Sequence, residues 1–317
     1  MAKEQKMFAD DGWAVWVEGE DVSTVYINDW LNPKGKSFVD LAVRIRGVLE
    51  SKALLVYVPF AVTKEEIEDV SLLFQDTNIV QATFSASCII EYQKNAHTSE
   101  IAYNGKTVDL VHISTLNYQA SAVSEGTLLS FDLEALRPYL DNDEAYFIWR
   151  MPHKSLDAVF APRKNMGKAK ERLIDLITSP IINEKFGYSI RINESRLLPE
   201  SITKMPGFHR QKLEKALITL SVHEDYELND AGCSGIRRLE ENLYKEFLPK
   251  GYKSNNVITY QWQQNRERNF RGHFNFYYTL AKNSISRGSM CLYLILLTVI
   301  GVAGDLIAAL LCKLLGI

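Results

Sequence analysis

The chain has 317 residues, 46% of them hydrophobic and 24% charged, with a formal net charge of −3. That is the balance of a folded protein and excludes a long disordered or low-complexity chain. The four cysteines, Cys88, Cys233, Cys291 and Cys312, form no CxxC or Cys/His spacing. They give neither a disulfide framework nor a zinc signature, and they are consistent with a reducing compartment.

The net charge hides an asymmetry. Residues 1–150 carry 12 Lys and Arg against 23 Asp and Glu, a balance of −11; residues 151–287 carry 23 against 15, a balance of +8. The expected organisation is an acidic α+β domain over 1–150, a basic mixed α/β region over 151–287, and a transmembrane helix over 288–317. The basic half suits anionic lipid headgroups or a nucleic acid, or simply complements the acidic half.

Residues 1–10 read as a loose terminus and lack the apolar core of a signal peptide. Residues 13–17 and 25–27 read as strands joined across the acidic turn Glu18-Gly19-Glu20-Asp21. Over 38–49, Phe38, Leu41, Ala42, Ile45, Val48 and Leu49 share one helical face, which predicts an amphipathic helix. Residues 54–60 are a continuous apolar run of the buried-strand type. Thr63 and Glu66 have the capping-box spacing, so a helix is predicted from Thr63, with Ile67, Val70, Leu73 and Phe74 on its apolar face. Residues 79–92 are mostly strand-like, and 101–113 form a hairpin turning at Asn104-Gly105. A strand over 127–131, a helical turn capped by Asp132 and a strand over 145–150 complete an α+β region.

Beyond Met151 the chain becomes basic, with Arg163, Lys164, Lys168, Lys170 and Arg172 opposed only by Glu171. Helices are predicted over 169–177, 211–222 and 236–247, and strands over 188–192, 257–262 and 270–280. The stretch 266–278 interleaves Arg266, Arg268 and Arg271 with aromatic residues. That composition suits a phosphate-and-stacking surface, or a half-buried strand leading basic residues to a membrane. The basic run near 163–172, with Arg237 and Arg238, offers a second nucleic-acid or lipid face, or an ordinary solvated helix start.

The tail, residues 288–317, dominates the reading. It has no charge from Gly288 to Gly304, and Asp305 is the only one through Cys312. About 20 apolar residues cross a bilayer core, so the run is long enough to span. Basic residues precede it, which keeps the body cytoplasmic. Gly301, Asp305 and Ala308 fall on one helix face, and Gly304 with Ala308 is a small-xxx-small pair. A carboxyl inside a span is costly unless paired, hydrated or protonated. Asp305 therefore lies either between associated tails or close enough to the far interface to be wetted.

No phosphate-binding loop, dinucleotide fingerprint, zincin motif or nucleophile elbow is present. Gly232-Cys233-Ser234-Gly235, with His223 and Asp230 upstream, admits a cysteine nucleophile but reads more simply as a helix cap. No catalytic residue, metal or cofactor is expected.

The plan of a motif-poor cytosolic body with one terminal membrane helix resembles the transmembrane effectors of bacterial phage-defence systems, including those attached to retrons. The resemblance rests on the tail, on its Gly301/Asp305/Ala308 face, and on the basic–aromatic segment before it. It implies a non-enzymatic effector in the inner membrane, restrained or triggered by a protein or nucleic-acid partner, with tails that oligomerise and perturb the membrane. The alternatives are a membrane-tethered hydrolase or nuclease and a tail-anchored scaffold.

Overall fold

The computed structural model describes residues 8–19, 21–32, 35–75, 79, 88–91, 95–103, 105–160, 181–208, 213–229, 232–240, 244–248, 252, 255–265, 274–285 and 287–315. The fold is α+β, with sheets, few helices and one long C-terminal helix, Arg287–Leu315. The strands among these residues are β1 (Phe8–Glu18), β2 (Val22–Trp30), β3 (Phe38–Arg46), β4 (Ala53–Val58), β5 (Glu68–Asp69), β6 (Cys88–Glu91), β7 (Thr98–Tyr103), β8 (Lys106–Val111), β9 (Tyr118–Val123), β10 (Gly126–Asp132), β11 (Glu144–Pro152), β12 (Ile181–Ile192), β13 (Lys215–His223), β14 (Tyr226–Leu228), β15 (Gly235–Arg238), β16 (Val257–Asn265) and β17 (Phe274–Ile285).

The chain divides into two compact units. The first comprises Met1–Ala161, Phe186–Glu224 and Asn229–Thr279; the second comprises Pro162–Lys185, Asp225–Leu228 and Leu280–Ile317. The first unit draws on both the acidic and the basic stretch, so the two charge classes share one core.

In the first unit one sheet runs β17-β12-β1-β4-β10-β9 and the other runs β15-β16-β13-β2-β3-β11-β8-β7-β6, with β5 beside β11. β1 changes partner midway: Phe8 to Trp13 pair parallel with β12, and Ala14 to Glu18 pair antiparallel with β4. The sheets meet through aromatic rings. Phe131 of β10 lies 6.2 Å from Phe147 and 5.2 Å from Trp149, both of β11, and Trp262 of β16 stacks on Tyr278 of β17 at 5.6 Å. Each such side chain, fully buried, contributes about 1.5–3 kcal/mol.

Both outer faces are also partly covered. Leu198, Ile202 and Phe208 pack over Trp16, Leu55 and Tyr57. Val70, Phe74, Leu239, Tyr244 and Phe247 pack over Trp30, Ala42, Tyr146 and Ile148.

Three corrections follow, and double coverage explains the first. Residues 38–49 are not a helix: β3 occupies Phe38–Arg46, with Val39, Leu41, Val43 and Ile45 buried on one face and Asp40 and Ala42 on the other. Burial on both faces removes the alternation that marks a strand, leaving apolar positions that also fit a helical period. Residues 215–222 of the predicted helix 211–222 are not helical either. β13 buries Ala216, Ile218, Leu220 and Val222 at a period of two. At the start of the predicted helix 236–247 the chain is instead the edge strand β15, paired with β16, whereas Tyr244 lies in a helical turn and 241–243 are outside the described residues.

The helix predicted from Thr63 is a single 3-10 turn, Lys64–Glu66. Its capping box is formed as expected, but β5 follows at once. The hairpin of β7 and β8 is as read, with Gly105 at φ +73°. Asp132 caps Leu133–Leu136 by accepting from the Ala135 amide. The strands over 13–17 and 25–27 are present, but they enter different sheets instead of pairing across the acidic turn. The helix predicted over 169–177 lies outside the described residues.

In the second unit, β14 pairs antiparallel with the end of β17, Tyr226 opposite Lys282 and Leu228 opposite Leu280. The C-terminal helix belongs to this unit.

Candidate functional site

The C-terminal helix runs 29 residues from Arg287 to Leu315. Within it, Tyr293–Lys313 is long and apolar enough to cross a membrane, and none of it is buried. At about 1.5 Å per residue these 21 residues reach about 31 Å, the thickness of a bilayer core. Tyr293 and Lys313 stand at the two ends, as an aromatic anchor and a snorkelling cation do.

Asp305 stands two residues past Ala303, the midpoint of that span, or about 3 Å along the axis. Asp305 is thus nearer the middle of the apolar stretch than either of its ends. Thr298 satisfies its hydroxyl within the helix, donating to the Leu294 carbonyl at 2.9 Å. The Asp305 carboxyl has no such partner among the described residues. Gly301 and Gly304 have open space where a Cβ would stand. Gly301, Gly304, Asp305 and Ala308 are all exposed.

The eight predicted cations, Arg163, Lys164, Lys168, Lys170, Arg172, Arg266, Arg268 and Arg271, lie outside the described residues. Beyond them, β17 buries Phe274, Phe276 and Tyr278 on one face and exposes Tyr277, the pattern of a half-buried strand. The Gly232–Gly235 cluster leads into the strand β15, where Ser234 bonds the Gln261 carbonyl through both its amide and its hydroxyl. His223 stands at the end of β13, and Asp230 lies outside the described residues.

Two buried polar chains escaped the sequence reading. In the first, His153 Nδ1 accepts from the Leu156 amide at 3.3 Å, so Nε2 carries the proton. Nε2 faces the Tyr188 hydroxyl at 3.1 Å and Asp29 Oδ1 at 3.4 Å. Tyr188 donates to Asp11 at 2.5 Å, and Tyr278 to Asp29 at 3.3 Å. Burial pushes the His153 imidazole down to about 3 and the Asp29 carboxyl well up. His153 is therefore neutral near pH 7, and burial favours the protonated form of Asp29. In the second chain, His112 takes Ser71 on Nδ1 at 3.0 Å and Ser99 on Nε2 at 2.9 Å, and Ser71 Oγ donates to Asp69. Ser71, Ser99 and His112 are all buried, so a substrate does not reach them. The second chain satisfies its buried polar groups, as a packed interior requires, whereas Asp29 Oδ1 in the first has no hydrogen-bond partner among the described residues.

An open site lies on the outer face of the larger sheet. A cleft of about 280 Å³ is floored by β2 and β13, which have sheet partners on both sides. The strand registers set its floor in rungs. Asp40, Asn28, Thr219 and Gln261 face one another on successive strands, and Ala42, Tyr26, Leu217 and Gln263 make the next rung. Tyr26, Asn28, Leu217 and Thr219 are half-buried although they sit mid-sheet. Phe247 and Tyr252 pack against Trp30 at one end, and Tyr244 and Phe247 also line the cleft. At the Trp30 end the Tyr252 hydroxyl donates to the carbonyls of Leu31 and Ser221 at 3.2 Å each.

Thr219 donates to Asn28 Oδ1, and Ser221 Oγ lies 2.9 Å from Thr259 Oγ1. At the open end stands Lys215, its ammonium pushed down first by burial and then by the nearby Arg44 guanidinium. The period-two polar residues of 215–221 were the signal for this floor, concealed by reading the stretch as a helix. Among the described residues no cluster of His, Cys, Asp and Glu suits a metal ion.

The chain matches no family model and no curated protein.

Proposed function

We propose that the protein is a single-pass membrane effector of phage defence. Its β-rich body lies in the cytoplasm, and its tails associate in the bacterial inner membrane and perturb it when a partner or nucleic acid signals. The observation that carries the reading is the span Tyr293–Lys313, none of it buried, with one carboxyl close to its midpoint. A charged carboxylate at that depth costs several kcal/mol, about 2.5–3.5 on insertion scales. A second tail removes the cost. The small residues Gly301, Gly304 and Ala308 let backbones approach, and Asp305 then shares its proton or a water with its counterpart.

The basic residues before the span support a cytoplasmic body. The setting in phage defence rests on the architectural resemblance. The trigger acts through its differential affinity for two states of the body. Carbonate extraction and protease protection of the full chain test the anchoring and orientation. The expected result is a pellet-bound protein whose body is digested only after inner-membrane rupture. Extraction into the supernatant, or digestion from the periplasmic side, would overturn it.

A further inference from the structure

We propose that the cleft over β2 and β13 binds a small phosphate monoester, one phosphorylated sugar or nucleoside per chain. The inference stands apart from the membrane reading, since it concerns the body alone.

The first argument is exposure. Central strands of a covered sheet normally bury both faces, and here half-buried side chains open on a cleft of about 280 Å³. That volume lies just below the usual range of small-molecule sites, about 300–1,000 Å³, and suits a ligand of one sugar or one nucleoside.

The second argument is unspent bonding. Lys215 Nζ and the Gln261 side-chain amide, both half-buried, have no partner among the described residues. Lys215 lacks a carboxylate because the nearby ones are engaged: Glu144 is held by Arg44 and Arg46, and Glu214 by Arg46 at 3.0 Å. A half-buried ammonium without a partner calls for an anion. Lysine is a point charge that suits a tetrahedral oxyanion, and the guanidinium of Arg237, which also lines the cleft, belongs to a residue type that matches phosphate.

The third argument is the floor between. Asn28, Thr219 and Gln261 present donors and acceptors in one row, which suits hydroxyls or ring heteroatoms. Tyr26 and Leu217 on the next rung give an apolar strip for a sugar or base face. The phosphate therefore sits at Lys215, and the body of the ligand lies along β13 towards Thr219.

Calorimetry on the full chain in detergent tests this with ribose 5-phosphate, adenosine 5′-monophosphate, adenosine, ribose and inorganic phosphate as probes. At least one monoester should bind once per chain, about tenfold or more tighter than its unphosphorylated counterpart and than phosphate alone. Lys215→Gln should abolish that difference, and Gln261→Ala should weaken the monoester while leaving inorganic phosphate unchanged. Unaltered melting of both variants shows that the fold is kept. The proposal is overturned if neither monoester binds, if Lys215→Gln binds as the native chain does, or if phosphate alone binds as tightly as the monoesters.

Discussion

Arg150 forks onto Asp40 from the neighbouring strand, Nε to Oδ1 at 2.6 Å and Nη2 to Oδ2 at 3.1 Å, with both side chains 2% exposed. Trp30 Nε1 donates to the same Oδ2 at 2.6 Å, and the Phe247 ring centroid lies 5.0 Å from the guanidinium carbon. One carboxylate thus ties β2, β3 and β11 together at the closed end of the cleft. Removing one partner of a buried pair leaves the other charge without compensation, at a cost of about 3–5 kcal/mol. Asp40→Ala should lose that much in urea denaturation of the full chain. Asp40→Leu combined with Arg150→Met should recover most of it. A double variant as unstable as the single one would show that the pair holds more than its own charges.

His153 gives the fold a pH dependence. In the unfolded chain its imidazole takes up a proton below about pH 6.5, whereas burial holds the folded pKa at about 3. The contribution is therefore complete above pH 6.5 and is lost as pH falls towards 3, by about 1.4 kcal/mol per pH unit for one proton. Asp29 acts in the opposite sense. Its folded carboxyl keeps a proton that the unfolded one releases above 3.8, so its contribution fades as pH rises from there. Between pH 6.5 and 5 the native chain should lose stability more steeply than His153→Asn. Parallel curves for the two proteins would mean that His153 does not remain neutral.

Gly12 is fixed by close approach. A Cβ there would stand 2.6 Å from the Leu197 carbonyl oxygen and 2.9 Å from the Leu197 Cβ, in the turn that follows β12. The obstacle is backbone, which does not swing aside. Gly12→Ala should cost about 1–3 kcal/mol, the usual penalty of overpacking. An unchanged urea midpoint would show that the turn over Ser195–Leu197 shifts freely.

The sequence was legible where local chemistry decides structure. Asn104-Gly105 marked its hairpin, Asp132 its cap, and the uncharged run before Asp305 its long helix. It was misread where both faces of a strand are covered. β3 buries residues at every position from Val39 to Val43, so Leu41, Ala42 and Ile45 fit a helical stripe equally well. The His153 cluster was invisible for another reason. Asp11, Asp29, His153, Tyr188 and Tyr278 come from separate stretches on two sheets, and only strand pairing together with the packing of the sheets brings them together. The cleft floor did carry a signal, the alternation of Lys215, Leu217, Thr219 and Ser221, which reads correctly once β13 is a strand.

The account turns on what the tail does in the membrane. The most direct measurement is dye uptake by bacteria producing the full chain, with and without phage challenge. Two variants serve as comparison: Asp305→Leu, and a chain whose span Tyr293–Lys313 is exchanged for an unrelated apolar helix. Challenge should make the native cells permeable, and both variants should stay sealed while still fractionating with the membrane. Permeability that is absent from the native cells, or equal with the foreign span, would contradict the account and reduce the tail to an anchor.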